Sequence, residues 1–166
     1  KSASDLIDLD HPNYQFVAAR LLLFSIRKSL YGRTRELPHL EDHIIKTVNQ
    51  EVYDAGIYDK YSKEDIEKAN GYIDHDRDFL FTYAGLRQVV DKYLVQDRST
   101  GQVYETPQFM YMMIALTIFA EYPKETRLNY VRRYYDAISK HKLNIPTPIM
   151  AGVRTPIRQF ASCVLV

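Results

Sequence analysis

Apolar side chains recur every three or four residues along most of the chain, the spacing of helices with one buried face. The first run predicts a helix over about residues 13–31, with Asp10 as a cap candidate and Gly32 at its end. A second helix is predicted after Pro38. The pattern therefore indicates a mainly helical fold.

Turn and cap signals divide the next part of the chain. Residues 53–61 lack a clear period and predict a loop. Ser62 with Asp65 resembles a capping box, which predicts a short helix that ends at residues 70–71. A long helix is predicted from about Asp74, because its acidic first turn suits the positive end of a helix dipole.

A small β-hairpin is predicted next, pairing about residues 94–96 with 102–104 around a five-residue loop that ends in Gly101. Thr106 and Pro107 then form a strong helix start. The helix that follows is apolar nearly all round, which predicts a central position in the core.

A further helix is predicted after Pro123, and the pattern changes at about Leu143. Three prolines and Gly152 then predict extended chain with turns in place of a helix. The last residues, 161–166, are apolar and β-branched, as in a buried strand that needs partners on its edges. Both ends of the sequence therefore suggest a piece of a larger protein.

Composition excludes several function classes. The 166 residues are 46% hydrophobic, enough for a sizeable core, and 22 basic residues face 21 acidic ones. This balance gives no electrostatic case for a nucleic-acid partner. The sequence contains no run of 18 apolar residues, so no membrane span is predicted. Its polar start does not resemble a signal peptide. A single cysteine argues for a reducing, cytoplasmic setting.

That cysteine, Cys163, is the central candidate for chemistry. From the residues alone it favours a small core residue, because no His, Lys or helix start adjoins it to lower its pKa. The stretch that leads to it changes this interpretation. Residues 146–163 read P-T-P-I-M-A-G-V-R-T-P-I-R-Q-F-A-S-C, which closely resembles the approach to the catalytic barrel of class I ribonucleotide reductase large subunits.

The resemblance extends upstream over essentially the whole chain, in order and at matching spacings, at residues 10–14, 18–21, 73–78, 92–96 and 125–128. It implies an N-terminal helical domain of an α/β enzyme that ends in the first strand of a ten-stranded barrel. The implied boundaries are the end of an ATP-cone and a connecting helix over 1–31, the helical domain over 13–141, and the extended segment with the redox cysteine over 142–166.

By the same resemblance, Cys163 is one of two thiols that reduce ribonucleoside diphosphates to deoxyribonucleoside diphosphates, which DNA replication requires. Thr147 and Ser162 match substrate-binding positions. Replacement of a hydroxyl by hydrogen consumes two electrons, which two thiols supply, and this chain holds only one cysteine. We therefore expect the 166-residue chain alone to be inactive.

The resemblance implies partners and an effector site as well. A small metal-containing subunit supplies the radical, thioredoxin or glutaredoxin supplies electrons, and the large subunit forms a homo-oligomer. Phe24 and Lys28 match positions that contact the effector, ATP or dATP. The alternative interpretation of Lys28 is an exposed lysine on the helix surface. Ser25 stands where the family often has histidine.

No metal site is predicted in this chain. Asp74 and Asp78 would share one helix face, but helix capping explains these residues without a metal ion. His39 and His43 are spaced in the same way and favour a solvated helix face. The alternative to the enzyme is a non-catalytic helical module for assembly or effector docking.

Overall fold

A computed structural model of the chain describes residues 3–33, 36–157 and 160, and these residues are mainly helical, as predicted. Their helices are α1 (Tyr14–Tyr31), α2 (Leu40–Asn49), α3 (Ile57–Lys60), α4 (Lys63–Asn70), α5 (Tyr83–Lys92), α6 (Pro107–Ile118), α7 (Lys124–Ser139) and α8 (Thr147–Gly152), with 3-10 helices at Ser4–Leu6 and His75–Leu80. None of these helices is both long enough and apolar enough to cross a membrane.

The described residues form two compact units. The first is built from residues 1–37 and 74–107, and the second from 38–73 and 108–166. Each unit is therefore assembled from two separated stretches of chain, so its packing depends on contacts that are distant in sequence.

The first unit is organised around α1. Its buried side chains include Ala18, Leu23 and Ile26, and the helix packs against α5 and the 3-10 helix at His75–Leu80. The helix ends where predicted, at Gly32, whose φ of 76° suits a residue without Cβ. Asp10 does not cap it, because the cap position is Asn13 and makes no side-chain cap bond.

The long helix predicted from Asp74 is wrong, because the segment divides into a 3-10 helix and α5. Asp74 does cap the first piece, accepting a hydrogen bond from the Asp76 N–H. The chain is then extended at Phe81, and the Thr82 hydroxyl accepts a bond from the Gly85 N–H at 3.2 Å. A second N-cap therefore starts a new helix within the predicted one.

The predicted hairpin is not confirmed as a pair of strands. Gln96 and Val103 form one isolated antiparallel bridge, with a bond from the Tyr104 N–H to the Val95 carbonyl at 2.9 Å. The Val95 N–H turns to the Glu105 carboxylate at 2.7 Å. Because that amide would otherwise continue the ladder, the pairing stops after a single bridge.

The second unit has α6 at its centre, as predicted. All residues of α6 from Gln108 to Leu116 are buried. The Tyr61 hydroxyl donates to the Leu116 carbonyl at 2.7 Å and so satisfies a carbonyl near the helix end. The capping box of Ser62 and Asp65 is present, and α4 ends at Asn70 as predicted.

Three smaller predictions in this unit are wrong. The predicted loop at 53–61 contains the short helix α3. The prolines after Leu143 do not prevent a helix, because Pro146 lies at the N-cap position of α8 and Pro148 in its first turn, where no N–H is needed. His43 does not lie on a solvated face: it is 1% exposed, stacks on Phe109 at 4.1 Å between ring centroids, and bonds Tyr53.

The strand predicted at residues 161–166 lies outside the described residues.

Candidate functional site

The outer face of α1 forms one wall of a cavity of about 530 Å³ in the first unit. Phe24, Lys28 and Tyr31 line it at helical spacing. Together with Arg27, Gly32, Arg33 and Leu37 they complete its lining among the described residues. The cavity therefore brings together the two predicted effector residues, Phe24 and Lys28, and its size is that of small-molecule sites.

Three cations line this cavity, which makes it suited to an anion. Lys28 and Arg33 are exposed, whereas the side chain of Arg27 is only 17% exposed. Phe24 is 53% exposed and offers an aromatic face. Cationic side chains beside an exposed ring fit a ligand that joins phosphate to a flat base. Ser25, the residue that departs from the family pattern, is exposed on the same helix.

Arg27 connects the cavity to the 3-10 helix at His75–Leu80. Its Nη2 donates to the Asp78 carboxylate at 3.0 Å and to the His75 carbonyl at 2.9 Å. The Asp78 side chain is fully buried, so this ion pair is screened little by water. The guanidinium also lies 5.5 Å from the centroid of the Phe79 ring.

Phe79 is contacted by three side chains of α1. Arg20 lies 5.7 Å from its centroid, and Phe24 meets it edge-on at 6.2 Å between centroids. With Arg27, these contacts place cations and a ring around one aromatic side chain. Two of the three, Phe24 and Arg27, also line the cavity.

Two titratable groups of this unit are shifted by their surroundings. Burial raises the pKa of the Tyr31 hydroxyl, and the nearby Glu105 carboxylate adds to the effect, so Tyr31 stays protonated at neutral pH. Burial lowers the pKa of His75 to about 4, with the Arg27 guanidinium acting in the same direction. The imidazole beside the ion pair is therefore neutral at pH 7.

The acidic residues considered for a metal have other partners. Asp78 pairs with Arg27, and Asp74 pairs with Arg77 at 3.2 Å. Among the residues that the structure describes, no group of three or more His, Cys, Asp or Glu side chains is arranged to hold a metal ion.

The predicted substrate residues fall in the C-terminal segment of the second unit. Thr147 begins α8 and is exposed. Cys163 and Ser162 lie outside the described residues. Close to α8, the buried Arg154 donates from Nη1 to the Met150 carbonyl at 2.5 Å, and its own carbonyl accepts a bond from the Asp54 N–H at 3.0 Å.

A second cavity, of about 450 Å³, lies beside Arg154 and includes Lys60, Glu121 and Phe160 in its lining. Lys60 and Glu121 pair with each other at 2.7 Å. Thr147 is not among the described residues that line this cavity.

Comparison of the sequence with known proteins gives matches to one family. The family model described as "Ribonucleotide reductase, all-alpha domain" matches residues 79–158. The chain is 52% identical to ribonucleoside-diphosphate reductase subunit alpha of Haemophilus influenzae and 51% identical to ribonucleoside-diphosphate reductase 1 subunit alpha of Escherichia coli. It is 46% identical to the subunit alpha of Enterobacteria phage T4. Each match covers 100% of this chain.

The chain belongs to the ribonucleotide reductase large-subunit family. It spans 22% of the length of these curated relatives. The predicted family resemblance is thus confirmed over the whole chain, including residues 1–78, which precede the matched all-alpha domain.

Sequence reasoning missed the residues that connect the cavity to the rest of the first unit. No sequence motif indicates a role for Arg27, although it lines the same cavity as Phe24 and Lys28. Its pairing with Asp78 joins positions 51 residues apart, which no local pattern reveals. For Asp78 the sequence pattern predicts capping and gives no sign of this ion pair.

Proposed function

We propose that this chain is part of a ribonucleoside-diphosphate reductase large subunit of class I. The complete subunit would convert ribonucleoside diphosphates to deoxyribonucleoside diphosphates for DNA replication. The observation that carries the proposal is identity of 46–52% along the entire chain to subunits that bear this name. Family membership favours this function over a non-catalytic helical module.

The proposed reaction breaks the C2′–OH bond of the ribose and forms a C2′–H bond, and the oxygen leaves as water. Two electrons are consumed, and oxidation of two thiols to a disulfide supplies them. Cys163 is one of these thiols, and the second lies elsewhere in the complete subunit, with its Cα within about 4.4–6.8 Å of that of Cys163. The 166-residue chain alone therefore remains predicted to be inactive.

Substrate binding is proposed for Thr147 and Ser162. The motif of residues 146–163 supports both assignments. Exposure of Thr147 at the first turn of α8 is compatible with a hydroxyl that donates to a phosphate oxygen.

The cavity of the first unit is proposed to bind an effector nucleotide, ATP or dATP. Phe24 would contact the base and Lys28 the phosphates. Support comes from the three cations and the exposed ring that share this cavity. Allosteric regulation of the subunit would begin at this site.

The remaining partners follow from the proposed function. A small metal-containing subunit would supply the radical, thioredoxin or glutaredoxin would reduce the disulfide, and the large subunit would form a homo-oligomer. The cytoplasmic location and the domain boundaries at 1–31, 13–141 and 142–166 stay predictions.

The proposed role of Cys163 is tested in the complete subunit by Cys163→Ser. We expect turnover sustained by thioredoxin to fall to background, because one of the two electron donors is lost, while nucleotide binding stays close to wild type. Ser99→Ala, in an exposed turn, is the control and should retain full turnover. Sustained thioredoxin-dependent turnover by Cys163→Ser would exclude the redox role.

A further inference from the structure

The Arg27–Asp78 pair lies between two features of the first unit: the cationic cavity and the 3-10 helix His75–Leu80. Arg27 lines the cavity, and its Nη2 holds both the Asp78 carboxylate and the His75 carbonyl. A guanidinium carries five N–H donors in a rigid fork. The two bonds to the 3-10 helix both come from Nη2, so donors remain for an anion in the cavity.

From this geometry we propose that Arg27 couples occupancy of the cavity by a nucleoside triphosphate to the 3-10 helix His75–Leu80, with Asp78 as the residue that positions it. The inference rests on the proposed effector site. It goes beyond that site by naming the residues through which binding reaches a second element.

The physical basis is one cation shared between two anions. Without nucleotide, Arg27 is held by Asp78, whose side chain is fully buried. A phosphate in the cavity attracts the same guanidinium and restricts its motion. The guanidinium contacts the 3-10 helix at three points: the Asp78 carboxylate, the His75 carbonyl and the Phe79 ring. Because these contacts move with the guanidinium, restricting it makes the 3-10 helix more rigid.

Phe24 gives the coupling a second contact. Its ring lines the cavity and also meets Phe79 edge-on. A base that packs on Phe24 therefore fixes a side chain that touches the same 3-10 helix. Both parts of a nucleotide, base and phosphate, would act on residues His75–Leu80 from one face of α1.

Linkage fixes the sign of the reverse effect. If bound nucleotide stabilises the 3-10 helix, then loosening that helix must weaken nucleotide binding by the same factor. Asp78→Asn removes the charge that orients Arg27, and we expect it to reduce ATP affinity by about fivefold or more, the lower end of typical allosteric coupling.

The test is hydrogen exchange of the complete subunit with and without ATP. In the wild-type protein, saturating ATP should slow exchange at residues 75–80 by about fivefold or more. Arg27→Lys keeps the charge but loses the fork, and it should lose this protection at saturating ATP. Lys28→Gln should weaken ATP binding yet keep the protection once the site is saturated, since Lys28 makes no contact in this relay.

Arg20→Lys is the matched control, because Arg20 contacts the same Phe79 ring but is not among the described residues that line the cavity. It should retain both ATP affinity and protection. Exchange in α6, measured in the same experiment, verifies that each variant is folded. If Arg27→Lys is not folded, Asp78→Asn provides the test through its ATP affinity.

The outcomes separate the two proposals. Absence of ATP binding by the wild-type subunit would overturn the effector site and the coupling with it. Binding that leaves exchange at residues 75–80 unchanged would overturn the coupling alone. Protection that persists in Arg27→Lys would show that Arg27 is not the coupling residue.

Discussion

Within each of the two units, the main contacts are of a different kind. In the first, α1 meets the 3-10 helix His75–Leu80 through a buried ion pair and through cations around Phe79. In the second, α6 is enclosed mainly by apolar contacts, with Met110, Met112 and Leu116 fully buried. The contact between α1 and the 3-10 helix depends on charge and therefore on pH and on bound anions, whereas the packing of α6 depends on shape. Elsewhere in the second unit Arg127 pairs with Asp65 at 2.6 Å, so the contrast is between these two contacts.

The largest expected effect comes from breaking the charged interior. Asp78→Ala leaves the Arg27 guanidinium partly buried without its carboxylate and should lower the local free energy of unfolding by about 3–5 kcal/mol. Hydrogen exchange of α1 amides in the complete subunit measures it. The double variant Arg27→Met with Asp78→Leu should cost less than either single change, since it leaves no unpaired buried charge. A larger loss in the double variant would contradict this account.

Acid should weaken the first unit through His75. Its pKa of about 4 in the folded protein lies below the ordinary 6.5, so between these values the unfolded chain binds the proton more tightly. The contribution of His75 to the free energy of unfolding is therefore fully present above pH 6.5. It is lost as the pH drops toward 4, by at most about 3 kcal/mol. Exchange of α1 amides, corrected for intrinsic rates, follows the loss.

His75→Gln should remove this part of the pH dependence. His11→Gln is the control, because His11 is exposed and bonded to Asp8 at the surface. Equal pH dependence in the His75→Gln and wild-type proteins would show that another group is responsible.

The smallest effect tests the apolar interior. Ile114 is fully buried in α6, and Ile114→Val removes one methylene, which should cost about 0.5–1.5 kcal/mol at every pH from 4 to 7. Ile45→Val, at a side chain that is 42% exposed, should cost much less. Exchange of α6 amides compares the two. A cost for Ile114→Val that varies with pH would contradict the proposed difference between charged contacts in the first unit and apolar packing of α6.

Local signals in the sequence predicted the helices that carry them. The capping box of Ser62 and Asp65, the stop at Gly32 and the start at Thr106–Pro107 all involve residues within four positions of one another. The apolar composition of α6 likewise predicted its burial. These features could be anticipated because the interactions that decide them are short in sequence.

What the sequence did not reveal depends on contacts between distant residues. The helix predicted from Asp74 gives way to a 3-10 helix where Asp78 pairs with Arg27, 51 residues away. His43 is buried against Phe109, which lies in a separate stretch of the same unit. Of the candidate site, Phe24 and Lys28 were predicted from resemblance, whereas Arg27 emerged only from the assembled cavity.

The sulfur atoms of α6 carry a consequence for chemical damage. Met110, Met112 and Met113 are at most 1% exposed, so a peroxide has no path to their thioethers while the helix is closed. Oxidation to sulfoxide would place a polar group in a dry interior and oppose reclosure. Sulfoxide at these three positions therefore indicates that the second unit has opened. The modification persists after the opening ends, because only a repair enzyme reduces it.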